Sequence, residues 1–260
     1  MSDFVGELLD SREYAELASK IYRLADGLRG KITDTPIKPS ATNTALIFFF
    51  ARSFKTFQAA IELLRIGFWQ DTAVLARVLR EAEYQVAWII KNGDGAAELF
   101  LTDYKRNKRN VIRNIAKHGD STVKDQAQAV AGGFPPDPVL DEWWQNWWSK
   151  DRSEGISWLA RKLDRNAHRF EYATLSAFVH TSPALLDYYF HESAQGNGAT
   201  IETRPGVSKK NRPIAELVIF SVFAAFTDLC ANFAKCLELG FENELKDITE
   251  QIRQQFGSAT

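Results

Sequence analysis

The sequence predicts an all-α protein, a multi-helix bundle with a small helical insertion and one long loop or hairpin rich in Gly and Asn. Apolar residues recur at three- and four-residue spacings through most of the 260 residues, which is the period of an α-helix. No stretch before residue 190 shows the sustained period-two alternation of a half-buried strand. Clusters of Gly and Pro divide the chain into helix-length segments.

The predicted helices follow one another along the chain. The first covers residues 3–29 and should end near Gly30, and Gly67 marks the turn between the second and the third. The remaining bounds are 42–66, 71–91, 95–117, a short polar helix after Gly119, a helix carrying the tryptophans after Pro138, one ending just after His180, 213–239 and 242–255.

The domain organisation follows from the breaks between these helices. We expect one helical domain over residues 1–260, with an accessory insertion over residues 119–165 that contains the Gly- and Pro-rich sequence GGFPPDP. Residues 192–212 are rich in Gly, Asn and Lys and should form a mobile loop or a short hairpin.

Composition favours a cytoplasmic protein with no membrane partner. The 32 basic and 33 acidic residues nearly cancel, so binding to an anionic partner requires a local patch. Cys230 and Cys236 are six apart in one helical run, on opposite sides and out of disulfide reach, which suits a reducing compartment. The N-terminus carries acids where an export signal needs bases, and the longest apolar runs, 45–51 and 217–226, are too short to span a bilayer.

A polar stripe on the helix at residues 71–91 is the first candidate site. Arg77, Arg80, Glu81 and Tyr84 fall within an arc of about 100° on a strongly apolar helix. The stripe can line a polar pocket. Alternatively, Arg77 and Glu81 form an ordinary exposed pair at i and i+4.

A second row of polar residues follows about 90 positions later. Tyr172, Ser176 and His180 are spaced i, i+4 and i+8 along one face of a helix that should break just after His180. A histidine at such a break can contact a ligand. The alternative is a buried hydrogen-bonded row that locks two helices together.

The helix at residues 95–117 carries a stripe of positive charge. Arg106, Arg109, Arg113 and Lys117 lie within an arc of about 80° opposite an apolar face. Such a stripe could neutralise the phosphates of a nucleic acid. A solvated cationic face is the alternative, because no aromatic or Gly-rich binding motif accompanies it.

The insertion carries four tryptophans, Trp143, Trp144, Trp147 and Trp148, that would form a broad aromatic stripe on one helix. Four such side chains left in water would make an unusually large apolar patch. A place in the core or in a homodimer interface is therefore favoured over base stacking.

Two of these features together resemble a known family. The motifs Arg77-x-x-x-Glu81, preceded by Gly67, and Tyr172-x-x-x-Ser176-x-x-x-His180 are similar to those of uncharacterised, mainly bacterial helical proteins known only as a domain of unknown function. The similarity covers roughly residues 40–190. It implies a site without naming a reaction.

A weaker similarity concerns the segment from Arg113 to His118, which has the Arg-x4-His form of the HEPN superfamily of helical ribonucleases and toxins. The resemblance implies a reaction in which the Arg and the His of paired subunits act on RNA without a metal. In this chain the motif ends a helix, and the two side chains diverge by about 140°.

Several kinds of chemistry have no motif in the sequence. The four histidines lack familiar metal-ligand spacings, and no phosphate-binding Gly-rich loop or nucleophile elbow is present, so no metal or cofactor is expected. The first hypothesis is a pocket in which Arg77 binds an anion, His180 moves a proton and Glu81 orients one of them, with RNA cleavage in a defence or toxin setting as the reaction. The second is an interaction or structural protein in which the same residues form a buried network.

Overall fold

A computed structural model of the chain describes residues 12–132, 147–148, 155–165, 169–180, 188, 190–192, 199–201 and 210–257. These residues form helices and one short hairpin, so the all-α prediction is confirmed. The elements are α1 (Arg12–Asp34), α2 (Ala41–Arg65), α3 (Trp69–Asn92), α4 (Asp94–His118), α5 (Ser121–Gly132), α6 (Ile156–Lys162), α7 (Arg169–Val179), β1 (Phe190–Glu192), β2 (Ala199–Ile201), α8 (Arg212–Cys236) and α9 (Glu242–Phe256).

Helix α8 is the centre of the bundle. It packs on α3 along most of its length and also contacts α1, α2, α7 and α9. Within the described part of the chain it is the one helix long and apolar enough to cross a membrane, but 61% of its most apolar 18-residue window is buried in the fold. Because the core helix of a globular protein has the same composition, its length and hydropathy are weak evidence for a membrane span.

Aromatic side chains join α2 to α8. Phe50 stacks on Phe233 with 4.5 Å between ring centroids, and Phe57 stacks on Phe226 at the same distance. All four side chains are almost completely buried. Stacked rings add a geometric preference to the free energy gained by burying their apolar area, so this seam fixes how α2 lies on the central helix.

Gly67 forms the turn between α2 and α3. It has a φ of +85°, in the left-handed region. Its N–H donates to the Leu64 carbonyl, and the N–H of Phe68 donates to the Leu63 carbonyl. This is the Schellman arrangement that ends a helix and favours glycine at that position. The prediction of a turn at Gly67 is therefore confirmed.

The helix bounds agree closely with the periodicity of the sequence, except at the first helix. Helices α2, α3, α4 and α9 begin and end within about two residues of the predicted positions. Helix α1 was expected to end near Gly30 but continues to Asp34, because a glycine inside a helix costs only about 1 kcal/mol. The helix ends just before Pro36 instead. Residues 3–11 of that prediction lie outside the described residues.

The predicted loop or hairpin contains a hairpin. Strand β1 pairs with β2 in antiparallel register, with Phe190 opposite Ile201 and Glu192 opposite Ala199. The pairing begins two residues before the predicted segment, and most of residues 192–212 lie outside the described residues. The division into a main domain and an insertion at 119–165 stays a prediction.

Trp147 belongs to the core. Its indole Nε1 donates to the Gln85 side-chain oxygen at 3.1 Å, and its ring meets Phe100 edge-on at 5.3 Å between centroids. Trp148 packs against the Trp147 ring. Trp143 and Trp144 lie outside the described residues, so a homodimer through the four tryptophans stays a prediction.

The stacked seam should dominate stability. Phe226→Ala removes a fully buried ring that contacts both Phe54 and Phe57, so we expect the free energy of unfolding to fall by about 3–5 kcal/mol. The matched control is Phe170→Ala, because Phe170 is 75% exposed, and its effect should stay within about 0.5 kcal/mol. Denaturant unfolding monitored by circular dichroism measures both, and equal effects would contradict this description of the core.

Candidate functional site

The interface between α3 and α7 contains a row of polar side chains beside its apolar contacts, such as that of Trp69 with Phe178. Helix α3 contributes Arg77 and Glu81, and α7 contributes Tyr172 and, at its end, His180. We call these four residues the outer network, because all of them keep some contact with solvent. It unites the two polar rows that the sequence predicts about 90 residues apart.

Three members of the outer network form a closed ring of hydrogen bonds. Arg77 Nε donates to Glu81 Oε1 at 2.9 Å and to the Tyr172 hydroxyl at 3.2 Å. That hydroxyl donates in turn to the same Glu81 oxygen at 2.8 Å. The Arg77 guanidinium carbon also lies 5.2 Å from the centroid of the Tyr172 ring, within the range of a cation–π contact. The guanidinium is therefore held in one orientation.

The Tyr172 hydroxyl stays protonated in this arrangement. Burial, together with the nearby Glu81 carboxylate, raises the pKa of Tyr172 to about 12. Both influences disfavour a phenolate. Tyr172 is consequently a hydrogen-bond donor to Glu81 at every physiological pH, and it positions that carboxylate beside Arg77.

His180 completes the outer network from the end of α7. Helix α7 ends at Val179, and the N–H of His180 still donates to the Ser176 carbonyl at 3.2 Å. The exposed imidazole places Nε2 3.1 Å from Arg77 Nη1. Since arginine can only donate, this hydrogen bond requires Nε2 to be the acceptor, which is the tautomer with the ring proton on Nδ1. The predicted break just after His180 is where α7 ends.

Ser176 lies on the same face of α7, one turn from both Tyr172 and His180, and is half-buried. Its backbone carbonyl accepts the hydrogen bond of the His180 N–H. This bond stabilises the last turn of α7, and no contact among the described residues gives the Ser176 hydroxyl a chemical role.

A second set of charges lies beside the outer network and is centred on the buried Arg80, with Asp228 as its partly exposed member at 36%. Arg80 is completely buried and makes a forked pair with Glu171, with Nη2 3.0 Å from Oε1 and 3.2 Å from Oε2. Its Nη1 reaches Asp228 on α8 at 3.4 Å and lies 3.6 Å from Glu83. We call Arg80, Glu83, Glu171 and Asp228 the inner network. It ties α3 to α7 and α8.

Glu83 is the unusual member of the inner network. Its side chain is fully buried, and neither carboxylate oxygen has a hydrogen-bond partner among the described residues. Arg165 Nη2 lies 3.3 Å away, after a left-handed turn at Asp164 that ends α6. Burial outweighs the attraction of Arg80 and Arg165 and raises the pKa of Glu83 to about 7.

Burial divides the predicted stripe on α3. Arg80 and Tyr84 are buried, at 0% and 1% exposure, whereas Arg77 and Glu81 are partly exposed, so a single pocket lined by all four residues stays a prediction. The reason is that α6, α7 and α8 all pack on α3 and cover the part of the polar arc on which Arg80 and Tyr84 lie.

The predicted cationic stripe on α4 is also divided. Arg106 and Arg109 are buried, at 5% and 1% exposure, whereas Arg113 and Lys117 are exposed. Arg106 pairs with Asp103 one turn earlier, and α5 folds back along this half of α4. An exposed row of four cations is therefore wrong, and nucleic-acid binding by the remaining two stays a prediction.

Sequence reasoning missed Glu83, Glu171 and Asp228. Glu171 directly precedes Tyr172, and Glu83 is one turn after Arg80, so each was adjacent to a residue already identified. Asp228 is the one acid within an otherwise apolar stretch of α8. A lone acid in a core helix, which is costly unless paired, was the available signal.

Two other kinds of ligand site are relevant to function, a metal site and a surface cleft. In the described part of the chain, no group of three or more His, Cys, Asp or Glu residues is placed to hold a metal ion. A cleft of about 480 Å³ runs between α1 and α2, with Tyr22, Phe57 and Arg65 in its lining, and it shares no residue with either network. The outer network is the candidate site because its groups converge.

The two arginines should differ in their effect on stability. Arg80→Met leaves Glu171 and Glu83 buried without their main cation, so we expect a loss of about 3–5 kcal/mol in the free energy of unfolding. Arg77→Met, the same change one turn away, should cost about 1 kcal/mol or less, because Glu81 is 31% exposed and keeps the Tyr172 hydroxyl as a donor when the guanidinium is lost. Urea unfolding of both variants checks this, and an equal loss would favour a structural role for both networks.

Glu83 should make stability depend on pH. Its pKa in the folded state, about 7, is above the ordinary value of 4.5, so the folded protein binds the proton more tightly than the unfolded chain. Its contribution to stability is fully present below about pH 4.5 and is lost as the pH rises through 7. Glu83→Gln should remove this decline and be the more stable form at pH 8. Thermal unfolding across pH 5–8 measures it, with the exposed Glu62→Gln as the control that should leave the decline intact.

Comparison with known proteins identifies the family of the chain. No curated protein and no solved structure matches the chain significantly. Residues 43–197, which include both the Arg77-x-x-x-Glu81 and the Tyr172-x-x-x-Ser176-x-x-x-His180 motifs, match the model of a family of unknown function, DUF5677. The model covers more than half of the sequence, and the chain belongs to this family.

Proposed function

We propose that the chain is a cytoplasmic, metal-independent ribonuclease of a defence or toxin system, with the outer network as its active site. The observation that carries the proposal is the 3.1 Å contact between Arg77 Nη1 and Nε2 of the exposed His180. A fixed cation beside a base is what cleavage of a phosphodiester requires when no metal takes part.

Arg77 is the group that binds and stabilises the phosphate. Its Nε is occupied by Glu81 and Tyr172, which leaves the two Nη groups directed away from that ring of hydrogen bonds. Guanidinium donors match the oxygens of a phosphate, and they stabilise the extra negative charge that develops in the transition state.

His180 is the proton-transfer group. Nε2 accepts the proton of a ribose 2′-hydroxyl while that oxygen attacks the adjacent phosphorus. The bond from phosphorus to the 5′ oxygen breaks, and the leaving oxygen takes the proton from the imidazolium. The products are a 2′,3′-cyclic phosphate and a 5′-hydroxyl, and the histidine returns to its neutral form.

Glu81 and Tyr172 position the cation. Both bind Arg77 Nε, and neither supplies a proton to the reaction in this scheme. Tyr172, whose pKa is about 12, remains a donor to Glu81 throughout the working range of pH. The pair thus keeps the guanidinium oriented while its outer nitrogens exchange partners.

A second candidate function is a non-catalytic interaction or structural protein. It is favoured by the low exposure of the Arg77 side chain, 17%, and by the hydrogen bonds that join Arg77 to Tyr172 and His180 across the helix interface. In that case the outer network only joins α7 to α3, and its loss would lower stability rather than activity.

Activity assays on RNA separate the two. His180→Ala should abolish cleavage of a single-stranded RNA and leave the helical circular dichroism and the melting temperature nearly unchanged, since the imidazole is exposed. The products of the wild-type reaction should carry a 2′,3′-cyclic phosphate, and an oligonucleotide with 2′-deoxyribose should remain intact. Product analysis by mass spectrometry in the presence of a chelator measures this.

His118→Ala is the matched control, because His118 is also an exposed histidine at the end of a helix. It should retain activity if the outer network is the active site. Loss of cleavage in His118→Ala together with retention in His180→Ala would move the site to the Arg113–His118 motif. A wild-type protein inactive on RNA whose His180→Ala form melts several degrees lower would favour the structural function.

A further inference from the structure

The contact between Arg77 and His180 constrains where the imidazole can carry a proton. It persists only while Nε2 has no proton, because an imidazolium and a guanidinium are both donors and repel each other. Any anion that replaces Nε2 as the acceptor of Arg77 Nη1 therefore frees a basic nitrogen about 3 Å from that donor.

Protonation of the nitrogen that Arg77 has released then becomes more favourable. A bound oxyanion adjacent to the imidazole favours its charged form, and the protonated Nε2 can donate to the same anion that Arg77 binds. Two cationic donors would then face one ligand, in place of one donor and one acceptor facing each other.

From this geometry we infer that the outer network binds a tetrahedral oxyanion of the phosphate class together with one proton, which His180 takes up. The inference rests on the proposed role of Arg77 as the anion-binding group of the active site. It adds to that role the class of ligand and the coupling between anion and proton. In the proposed reaction the protonated state follows transfer of the 2′-hydroxyl proton, when Nε2 carries that proton and the reacting phosphate carries an additional negative charge.

The surrounding charges are consistent with this exchange. The described groups that hydrogen-bond to Arg77 besides His180 are Glu81 on α3 and Tyr172 on α7, and the charges of the inner network lie one turn away around Arg80. Both are bound to Arg77 Nε and to each other, so they hold the guanidinium without competing for Nη1. The exchange is thereby confined to the Arg77–His180 bond.

The coupling also explains why His180 is exposed while Arg77 is mostly covered. The side chain of Arg77 is 17% exposed and is fixed by three hydrogen bonds. His180, at the end of α7, is open to solvent and exchanges protons with water. Arg77 supplies a permanent positive charge, and His180 supplies a positive charge only when it is protonated.

Inorganic sulfate is the appropriate probe, because it is tetrahedral and does not titrate between pH 6 and 9. We expect calorimetry in two buffers of different ionisation enthalpy to show uptake approaching one proton per sulfate at the alkaline end. The affinity should accordingly fall by up to about tenfold for each pH unit. His180→Gln should bind sulfate more weakly with uptake near zero, and Arg77→Lys should lose at least about tenfold in affinity because the forked donor is gone.

His118→Ala is again the control and should match the wild-type protein in affinity and in proton uptake. The nitrogen chemical shifts of the His180 ring give an independent check, since they should show the proton on Nδ1 without sulfate and on both nitrogens with it. Sulfate binding without proton uptake, uptake that persists in His180→Gln, or absence of saturable binding would each overturn the inference.

Two further ligands identify the source of the oxyanion and separate this inference from the proposed reaction. Displacement of sulfate by a 2′-deoxy dinucleotide, with release of the proton taken up with sulfate, indicates a phosphodiester ligand that leaves Nε2 free to act as the base. Displacement only by a phosphomonoester indicates a small phosphorylated molecule, and either result supports the inference. Proton-coupled sulfate binding in a protein that does not cleave RNA would refute the ribonuclease and leave the anion site standing.

Discussion

The forked pair between Arg80 and Glu171 is the interaction on which the rest of the site depends. It joins α3 to α7 inside the bundle, where Arg80 has no contact with water. Breaking it would leave a buried charge, so α7 has essentially one satisfactory position on α3. Tyr172 follows Glu171 in the chain, and His180 is two turns further on. The placement of these two side chains against Arg77 is therefore a consequence of a pair that itself never reaches solvent.

The two networks show that burial gives the same residue types different roles. Arg77 and Arg80 are one turn apart on α3 and each binds a glutamate, but only Arg77 is reachable by a ligand. In the inner network, Arg80 is paired with three acids of the same chain. Such a buried ion-pair network contributes more to the specificity of packing than to net stability. The outer network keeps a basic nitrogen and a cation near the surface, where the desolvation cost is smaller and a ligand can exchange with protein contacts.

Much of the fold follows from the sequence, because it depends on local periodicity. The apolar spacing in α2, α3 and α4 and the glycine at the start of α3 are properties of short segments, and they set the helix bounds directly. The site was predicted for the same reason, since Arg77 with Glu81 and Tyr172 with His180 are each spaced by whole helical turns. The inner network was not, because Asp228, Glu171 and Arg80 are far apart in the chain and meet only when α8, α7 and α3 pack.

By itself, the sequence determined the class of fold, the place of the helices, the family and the face of α3 on which chemistry could occur. The tertiary structure alone decided which residues of that face remain accessible. Arg80 and Tyr84, and likewise Arg106 and Arg109, share an arc with exposed residues, and helical periodicity cannot distinguish them. The distinction arises when neighbouring helices cover one part of an arc and leave another open, and that depends on how distant segments pack and not on the spacing within any one of them.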